Sequence, residues 1–390
     1  MRRRYIPWHN YWLRRRIALF FRGLIAAAVI LLSLGLTVVL MSNLTLLLGG
    51  NAGTPRNSAS AASARNRFEM HITNRLSDAL QGIQSIEKVY WLSDENPVAP
   101  EPASACYGET DDPAVLKQLL EDAADLLQEQ TLYFDPEGPR KSGTTVRYYL
   151  DETIFAVAWK EIHDSCVYTF SEVRIAHPSQ FRRFLSGNAY GTAQQFLTTE
   201  MSASVNAVVA SSGDFYGYRA IGTLIYGGSV YRRDNSLDLC LVDDRGDLQF
   251  LYAGQIPGRD QLQQYVTDHQ IRFSLSFGPV LVDNGQLQNL GPYPVGEYDR
   301  PYSRAALCQM GELHYLIVAA NMELYYPNVP TLPQFARQIA GTGCIMAYTL
   351  DGGQTAAIAM DNQLINQVSY GSQRRISDIF YFATAIPDGG

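Results

Sequence analysis

The sequence predicts an α+β fold: strand-rich mixed sheets with interspersed helices, preceded by one transmembrane helix and a small helical segment. Three observations lead to this class. From residue 146 onward the chain is a succession of short β-branched and aromatic runs, parted by turn signals such as Gly227-Gly228 and Asn284-Gly285. Helical spacing of apolar residues is confined to a few stretches between those runs. Residues 23–42 carry no charge and are rich in Leu, Ile, Val and Ala.

That last run is long enough to cross a bilayer, since about 20 apolar residues span the hydrocarbon core as a helix. Arg2, Arg3, Arg4, Arg14, Arg15, Arg16 and Arg22 precede it, and the first fifty residues hold no acid. The positive-inside bias then places 1–22 in the cytoplasm as a basic tail, 23–45 in the cell membrane as a single-pass anchor, and the remainder outside. A cleaved secretory signal is the alternative, but its apolar core is usually about 7–15 residues. Residues 49–66 are Gly, Ser, Ala, Asn and Pro with little to bury, and read as a flexible linker.

Residues 67–140 read as a helical stalk or subdomain. Leu76, Leu80 and Ile83 recur at helical spacing. After a Pro-rich join over 97–102, Asp112-Pro113 opens a second helix, with an acid at the cap and proline in the first turn. Val115, Leu119, Leu120, Ala123 and Leu127 give that helix one apolar face.

Residues 141–390 form the main domain. Strands are expected over 146–150, 153–162, 166–175, 205–210, 224–226, 230–232, 237–242, 272–282, 305–309, 314–320, 344–350 and 356–360, and 375–384 closes the chain. Helices are expected over 178–185, 193–201 and 260–266, and from the Thr331 cap to about residue 340, with Pro333 in its first turn.

Charge narrows the function. Seven of the 31 Lys and Arg lie before the span, which leaves 24 against 38 Asp and Glu beyond it. A body so acidic does not hold nucleic acid by its overall field, and an anionic substrate must be met by a local basic or backbone site. The five cysteines have neither metal-ligand nor redox spacing, and a Cys106–Cys166 disulfide is left open. The six histidines are scattered. No cofactor is predicted; a divalent cation has no ligand loop to support it, so metal dependence stays open.

The most informative stretch is Leu350-Asp351-Gly352-Gly353-Gln354-Thr355, an apolar strand that runs into a carboxylate and two glycines. Glycine lets backbone approach a ligand closely, and exposed N–H groups suit an anionic oxygen. Asp-Gly also marks ordinary hairpins. Three further segments combine charge with permissive backbone: Ser212-Gly213-Asp214-Phe215-Tyr216, Ser276-Phe277-Gly278-Pro279 and Ser303-Arg304-Ala305-Ala306. Two acids and an arginine brought together from separate strand ends suit glycosyl phosphate chemistry. An arginine fork grips phosphate, while carboxyl groups carry protons or attack the anomeric carbon.

Taken in order, with Leu313-His314-Tyr315 and Thr331-Leu332-Pro333 between them, these segments resemble the phosphodiester glycosidase family over about residues 146–386. That family includes the enzyme that uncovers mannose 6-phosphate by removing N-acetylglucosamine. The resemblance implies a hydrolase outside the membrane acting on a carbohydrate phosphodiester of the cell envelope or exopolysaccharide. Asp214, Asp351 and His314 would be catalytic. Arg304, Gly213, Gly352, Gly353, Thr355 and Ser212 would bind substrate or phosphate. The chain departs from the family pattern at Ser212, Ala305 and Gln354, and has Asn321-Met322 where relatives often carry Asp-Gly. These departures keep a second reading in play, a non-catalytic glycan-binding or scaffold protein on the same fold.

Overall fold

The computed structural model describes residues 91–386, apart from 129 and 296. The tail, the span expected over 23–45, the linker and the first helix expected after it lie outside these residues. Among the described residues no helix is long and apolar enough to cross a membrane.

In chain order the strands are β1 (Tyr107–Thr110), β2 (Val146–Leu150), β3 (Ile154–His163), β4 (Cys166–Ile175), β5 (Phe181–Leu185), β6 (Val209–Ser212), β7 (Leu224–Tyr226), β8 (Ser229–Arg232), β9 (Leu239–Asp243) and β10 (Leu248–Leu251). Then follow β11 (Ile271–Leu275), β12 (Val280–Asp283), β13 (Gln286–Leu287), β14 (Arg304–Gly311), β15 (His314–Asn321), β16 (Met346–Leu350), β17 (Ile358–Met360), β18 (Gln363–Leu364) and β19 (Asp378–Phe382). The helices are α1 (Pro113–Asp122), α2 (Ala124–Leu127), α3 (Thr198–Ser204), α4 (Arg259–Asp268) and α5 (Leu332–Gly341).

The strands make three sheets. A nine-stranded sheet runs β1-β2-β3-β4-β15-β14-β16-β12-β13, and two five-stranded sheets run β10-β9-β11-β7-β8 and β18-β17-β6-β19-β5. The sheets are antiparallel rather than mixed. Neighbours such as β3 and β4, or β14 and β15, are hairpin partners that run in opposite senses.

The nine-stranded sheet is buried on both faces, and alternation along each strand sorts its side chains. Ala305, Leu307, Tyr315 and Ile317 face the core shared with the two smaller sheets. Ala306, Cys308, Leu316 and Val318 face the opposite side, where α1, α2 and α5 pack. Residues 107–127 belong to this body: β1 pairs with β2, and Leu116 and Leu119 of α1 are buried in the helix-covered core. The α1 cap is as expected, with Asp112 accepting from Ala114 N at 2.9 Å. On α5 the Thr331 hydroxyl accepts from Gln334 N, and Gln334 reaches back to Thr331 N.

Two expectations are corrected. The helix expected over 178–185 is a single 3₁₀ turn (Pro178–Gln180) followed by β5. Phe181, Phe184 and Leu185 have helical spacing, but pairing with β19 along its whole length outweighs that local preference. The single strand expected over 272–282 is two, β11 and β12, in different sheets, and the chain passes between them through Ser276-Phe277-Gly278-Pro279. All five cysteines are free. Cys106 lies beside Tyr149, whereas Cys166 pairs with His163 at the far end of the β3–β4 hairpin, so no bridge joins them.

Candidate active site

Antiparallel register gathers one set of loops at one end of the nine-stranded sheet. β14 begins there at Arg304, opposite Ala320 near the end of β15, and Ala305 faces Leu350 at the end of β16. The Asp351 turn and the Ser303 backbone therefore meet. Gly353 N donates to Ser303 O at 3.1 Å, and a Cβ on Gly352 would lie 2.1 Å from that oxygen. Only glycine fits at 352. The β6 end meets the same turn, since the Ser212 hydroxyl donates to Thr355 O.

Asp351 is the carboxylate this end presents. Gly352 N donates to its Oδ1 at 3.0 Å, and Arg219 Nη2 stands 3.8 Å from that oxygen. Burial raises its pKa, against the opposing pull of the Thr355 hydroxyl and Arg219. Thr355 also closes the turn by donating to Gly352 O at 2.5 Å.

Two arginines that sequence reasoning missed stand beside it. Arg219 lies over Phe215 at 5.1 Å and over Phe277 at 4.5 Å; Arg374 lies over Phe215 at 4.6 Å and Tyr218 at 4.5 Å. Phe215 thus carries two guanidinium groups. Burial lowers the Arg219 pKa; Asp351 opposes this and the Arg374 charge adds to it. Arg219 Nη1 is buried with no hydrogen-bond partner among the described residues. Phe215 itself is left-handed at φ 67°, an uncommon state for a bulky side chain and one that clusters at functional sites. Only the aromatic residues next to Arg219, in Phe215-Tyr216-Gly217-Tyr218-Arg219, hinted at this arrangement, and Arg374-Arg375 carries no local signature at all.

Asp214 has a different place from the acid/base role the sequence suggested. It is fully buried, with Oδ1 accepting from Tyr216 N at 3.0 Å and Oδ2 from Ser276 N at 2.8 Å. Arg183 Nη2 bridges it to Asp378, at 3.0 Å and 2.7 Å. Burial works against the Arg183 charge, but the two aspartates outweigh it and hold the pKa above its ordinary value. Burial pushes the Asp378 carboxyl up to about 6, against the pull of Arg183. Asp214 therefore anchors the 214–219 loop with both carboxylate oxygens engaged.

The glycines also work differently from expectation. Their N–H groups are satisfied inside the protein: Gly213 donates to Asp378 O, Gly352 to Asp351 and Gly353 to Ser303. What they supply is space. A Cβ on Gly213 would lie 1.8 Å from Asp378 Oδ2, and one on Gly353 would lie 2.6 Å from the Tyr302 hydroxyl.

Arg304 is buried beside Tyr302, but its Nη2 donates to the carbonyls of Glu297 and Arg300, which fastens the 297–300 loop. Burial lowers its pKa to about 10, and its Nε has no partner among the described residues. His314 is not at the site. It starts β15, six residues and roughly 20 Å along the strand from Ala320, the partner of Arg304. There its Nε2 is buried 2.7 Å from Glu172, which also accepts from Tyr133 N and Phe134 N. The resemblance implied His314 for the site, and the β14–β15 register puts it at the opposite end of the hairpin.

Among the described residues no group of three or more His, Cys, Asp or Glu is placed to hold a metal ion. The assembled site is a partly buried carboxylate flanked by two cations on an aromatic support. Two positive charges near one negative charge leave the site net positive, which suits a further anion.

Comparison with known proteins shows what part of the chain resembles. Residues 204–383 match the family model described as phosphodiester glycosidase, so the resemblance read from the motif order holds over that segment. The match covers the strands that deliver Asp214, Arg304 and Asp351, together with the loops that deliver Arg219 and Arg374. Among solved structures, the chain is similar to the zebrafish N-acetylglucosamine-1-phosphodiester alpha-N-acetylglucosaminidase catalytic domain auto-inhibited by its pro-peptide. Identity is 15%, the TM-score is 0.46, and the alignment covers 63% of this chain and 86% of that one. A hypothetical protein from Synechocystis is similar at 12% identity and a TM-score of 0.42, over 62% of this chain and 64% of that one. A putative exported protein from Burkholderia pseudomallei is similar at 12% and 0.38, over 56% and 74%. No curated protein matches.

Proposed function

We propose that this chain hydrolyses a glycosyl-1-phosphate diester of the cell envelope or exopolysaccharide, at the extracellular side of a membrane to which residues 23–45 anchor it. The observation that carries this reading is the Asp351 carboxylate beside Arg219 and Arg374 on one aromatic support. The arginines hold the phosphate and stabilise the negative charge that grows on it as the sugar–oxygen bond breaks. Phosphate leaves readily and needs little protonation, so Asp351 acts on the other reactant. It takes the proton of a water whose oxygen bonds to the anomeric carbon, while the phosphomonoester departs with the electron pair of the broken bond. A pKa raised by burial makes Asp351 a stronger base. Asp214, Arg183 and Asp378 position the 214–219 loop, and Arg304 fastens the 297–300 loop.

The test is release of reducing sugar from methyl esters of sugar-1-phosphates by the purified full chain. Asp351→Asn lowers kcat/KM by about 10²–10⁴-fold. Equal trace release by wild type and variant ends the hydrolase reading. One observation favours the non-catalytic alternative: Ser212 is turned onto the Thr355 carbonyl, and the Gln354 amide onto Ser372 at 3.0 Å, so neither faces a substrate. Under that reading, envelope glycan is retained by the protein with no turnover.

A further inference from the structure

Two loop tips beside the candidate site carry side chains that loop tips seldom carry. Glu323 and Tyr326 exchange both backbone hydrogen bonds at 2.9 Å, which makes a two-residue hairpin with Leu324-Tyr325 at its turn. Turn positions of this kind favour Gly, Asn, Asp or Ser. Here Leu324 is 81% and Tyr325 85% exposed. The hairpin is stiff, because Lys141 and Lys160 clamp the Glu323 carboxylate at 3.1 Å and 2.8 Å. The second tip is Ser369–Gly371, which presents Tyr370 in the left-handed region at φ 60° and 91% exposed. These three are the most exposed large apolar side chains among the described residues.

Both tips stand at the sheet end that holds Asp351. Ser369 Oγ is 3.0 Å from Ser303 Oγ, next to Arg304. The hairpin follows directly from β15, where Asn321 holds Asn366 at 2.6 Å. Half-exposed Tyr302 interacts with both Asp351 and Tyr370, and half-exposed Met322 directly precedes the hairpin. Leucine and methionine offer nothing to a sugar hydroxyl, whereas aliphatic side chains mixed with tyrosine suit the boundary between hydrocarbon and polar headgroup. Exposed Arg374 on the same rim complements an anionic phosphate, whereas Arg300 is paired with Glu297 at 3.3 Å.

We propose that the two tips grip the hydrocarbon chain of the substrate, so that the alcohol esterified on the far side of the phosphate is a long-chain lipid alcohol. This rests on the glycosyl phosphodiester reading above and names its aglycone. The phosphate then sits between Arg219 and Arg374, with the sugar toward Asp351 and the lipid toward Leu324, Tyr325 and Tyr370.

The test compares the full chain with the triple variant Leu324→Ser, Tyr325→Ser, Tyr370→Asn in the same detergent micelles, so that partitioning of the ligand into detergent is common to both. Binding of farnesyl phosphate and of methyl phosphate is measured by titration, with thermal unfolding as the check on folding. The expected result is a loss of about tenfold or more in farnesyl phosphate affinity, with methyl phosphate affinity unchanged. Equal farnesyl phosphate affinity in the two proteins overturns the proposal, as does an equal loss for both ligands. So does a variant that loses an envelope oligosaccharide instead of the lipid. Sugar release is scored separately: a rim that binds lipid in a protein that cleaves nothing refutes hydrolysis and leaves the tips assigned.

Discussion

Replacing Arg219 and Arg374 by glutamine, singly and together, tests the two-cation site directly. Each guanidinium stacks on Phe215, so glutamine keeps part of the contact and removes the charge. The two positions differ in burial, and the expected losses differ with it. Arg219 is half-buried with one nitrogen shielded from water, where a phosphate oxygen about 4 Å away is worth roughly 4 kcal/mol at an effective dielectric constant near 20. Arg374 is exposed, and the same separation in water is worth about 1 kcal/mol. Arg219→Gln should therefore lower kcat/KM on a sugar-1-phosphate methyl ester by about 10²–10³-fold, and Arg374→Gln by about fivefold. The assay is release of reducing sugar, run beside a neutral aryl glycoside of the same sugar as control. The losses should be specific to the phosphodiester for Arg374, which touches no catalytic carboxylate. If Arg374→Gln weakens turnover of the neutral glycoside equally, or if Arg219→Gln leaves the phosphodiester untouched, the phosphate does not lie between these arginines.

Other outcomes follow from the same geometry. With Asp351 as the base, kcat/KM should fall as pH drops through a pKa above the usual carboxylate value of 3.8, and Arg219→Gln should move that limb to higher pH by removing a cation that holds the pKa down; a limb that does not move dissociates the two groups. Arg183→Met leaves Asp214 and Asp378 buried without their cation and should cost about 3–5 kcal/mol in urea unfolding. His314→Gln should leave kcat/KM within about twofold of wild type while lowering the thermal midpoint, since it loses a buried contact with Glu172 at the end of the sheet remote from Asp351; a large kinetic loss at unchanged stability would return His314 to the site.

Much of the sheet was legible because its hairpins are local. The β14–β15 hairpin needs only two apolar runs and the short turn Glu312-Leu313 between them, and Cys166–Ile175 is unbroken and wholly buried. The α5 helix was legible from its Thr331 cap and Pro333. What failed was whatever depended on distant partners. β5 became a strand because β19, nearly two hundred residues later, pairs with it. Of the candidate site, the Asp351 turn was legible as a strand end running into close backbone, but the placement of Arg219 and Arg374 beside it was not. Their relation is a shared ring, and no spacing along the chain records that. Asp214 was legible as a candidate, but its buried contacts were not, because the Arg183 and Asp378 that engage it lie on other strands.

The passage of one short run from β11 into β12 has a mechanical consequence. Ser276 N holds Asp214, and Phe277 lies under Arg219, so the floor of the site is the very stretch that stitches two sheets together. No loop there can give slack. The smaller sheet cannot loosen without dragging on the residues of the candidate site, and any activity there should therefore report the integrity of the whole body, vanishing with the first cooperative loss of structure and not after it.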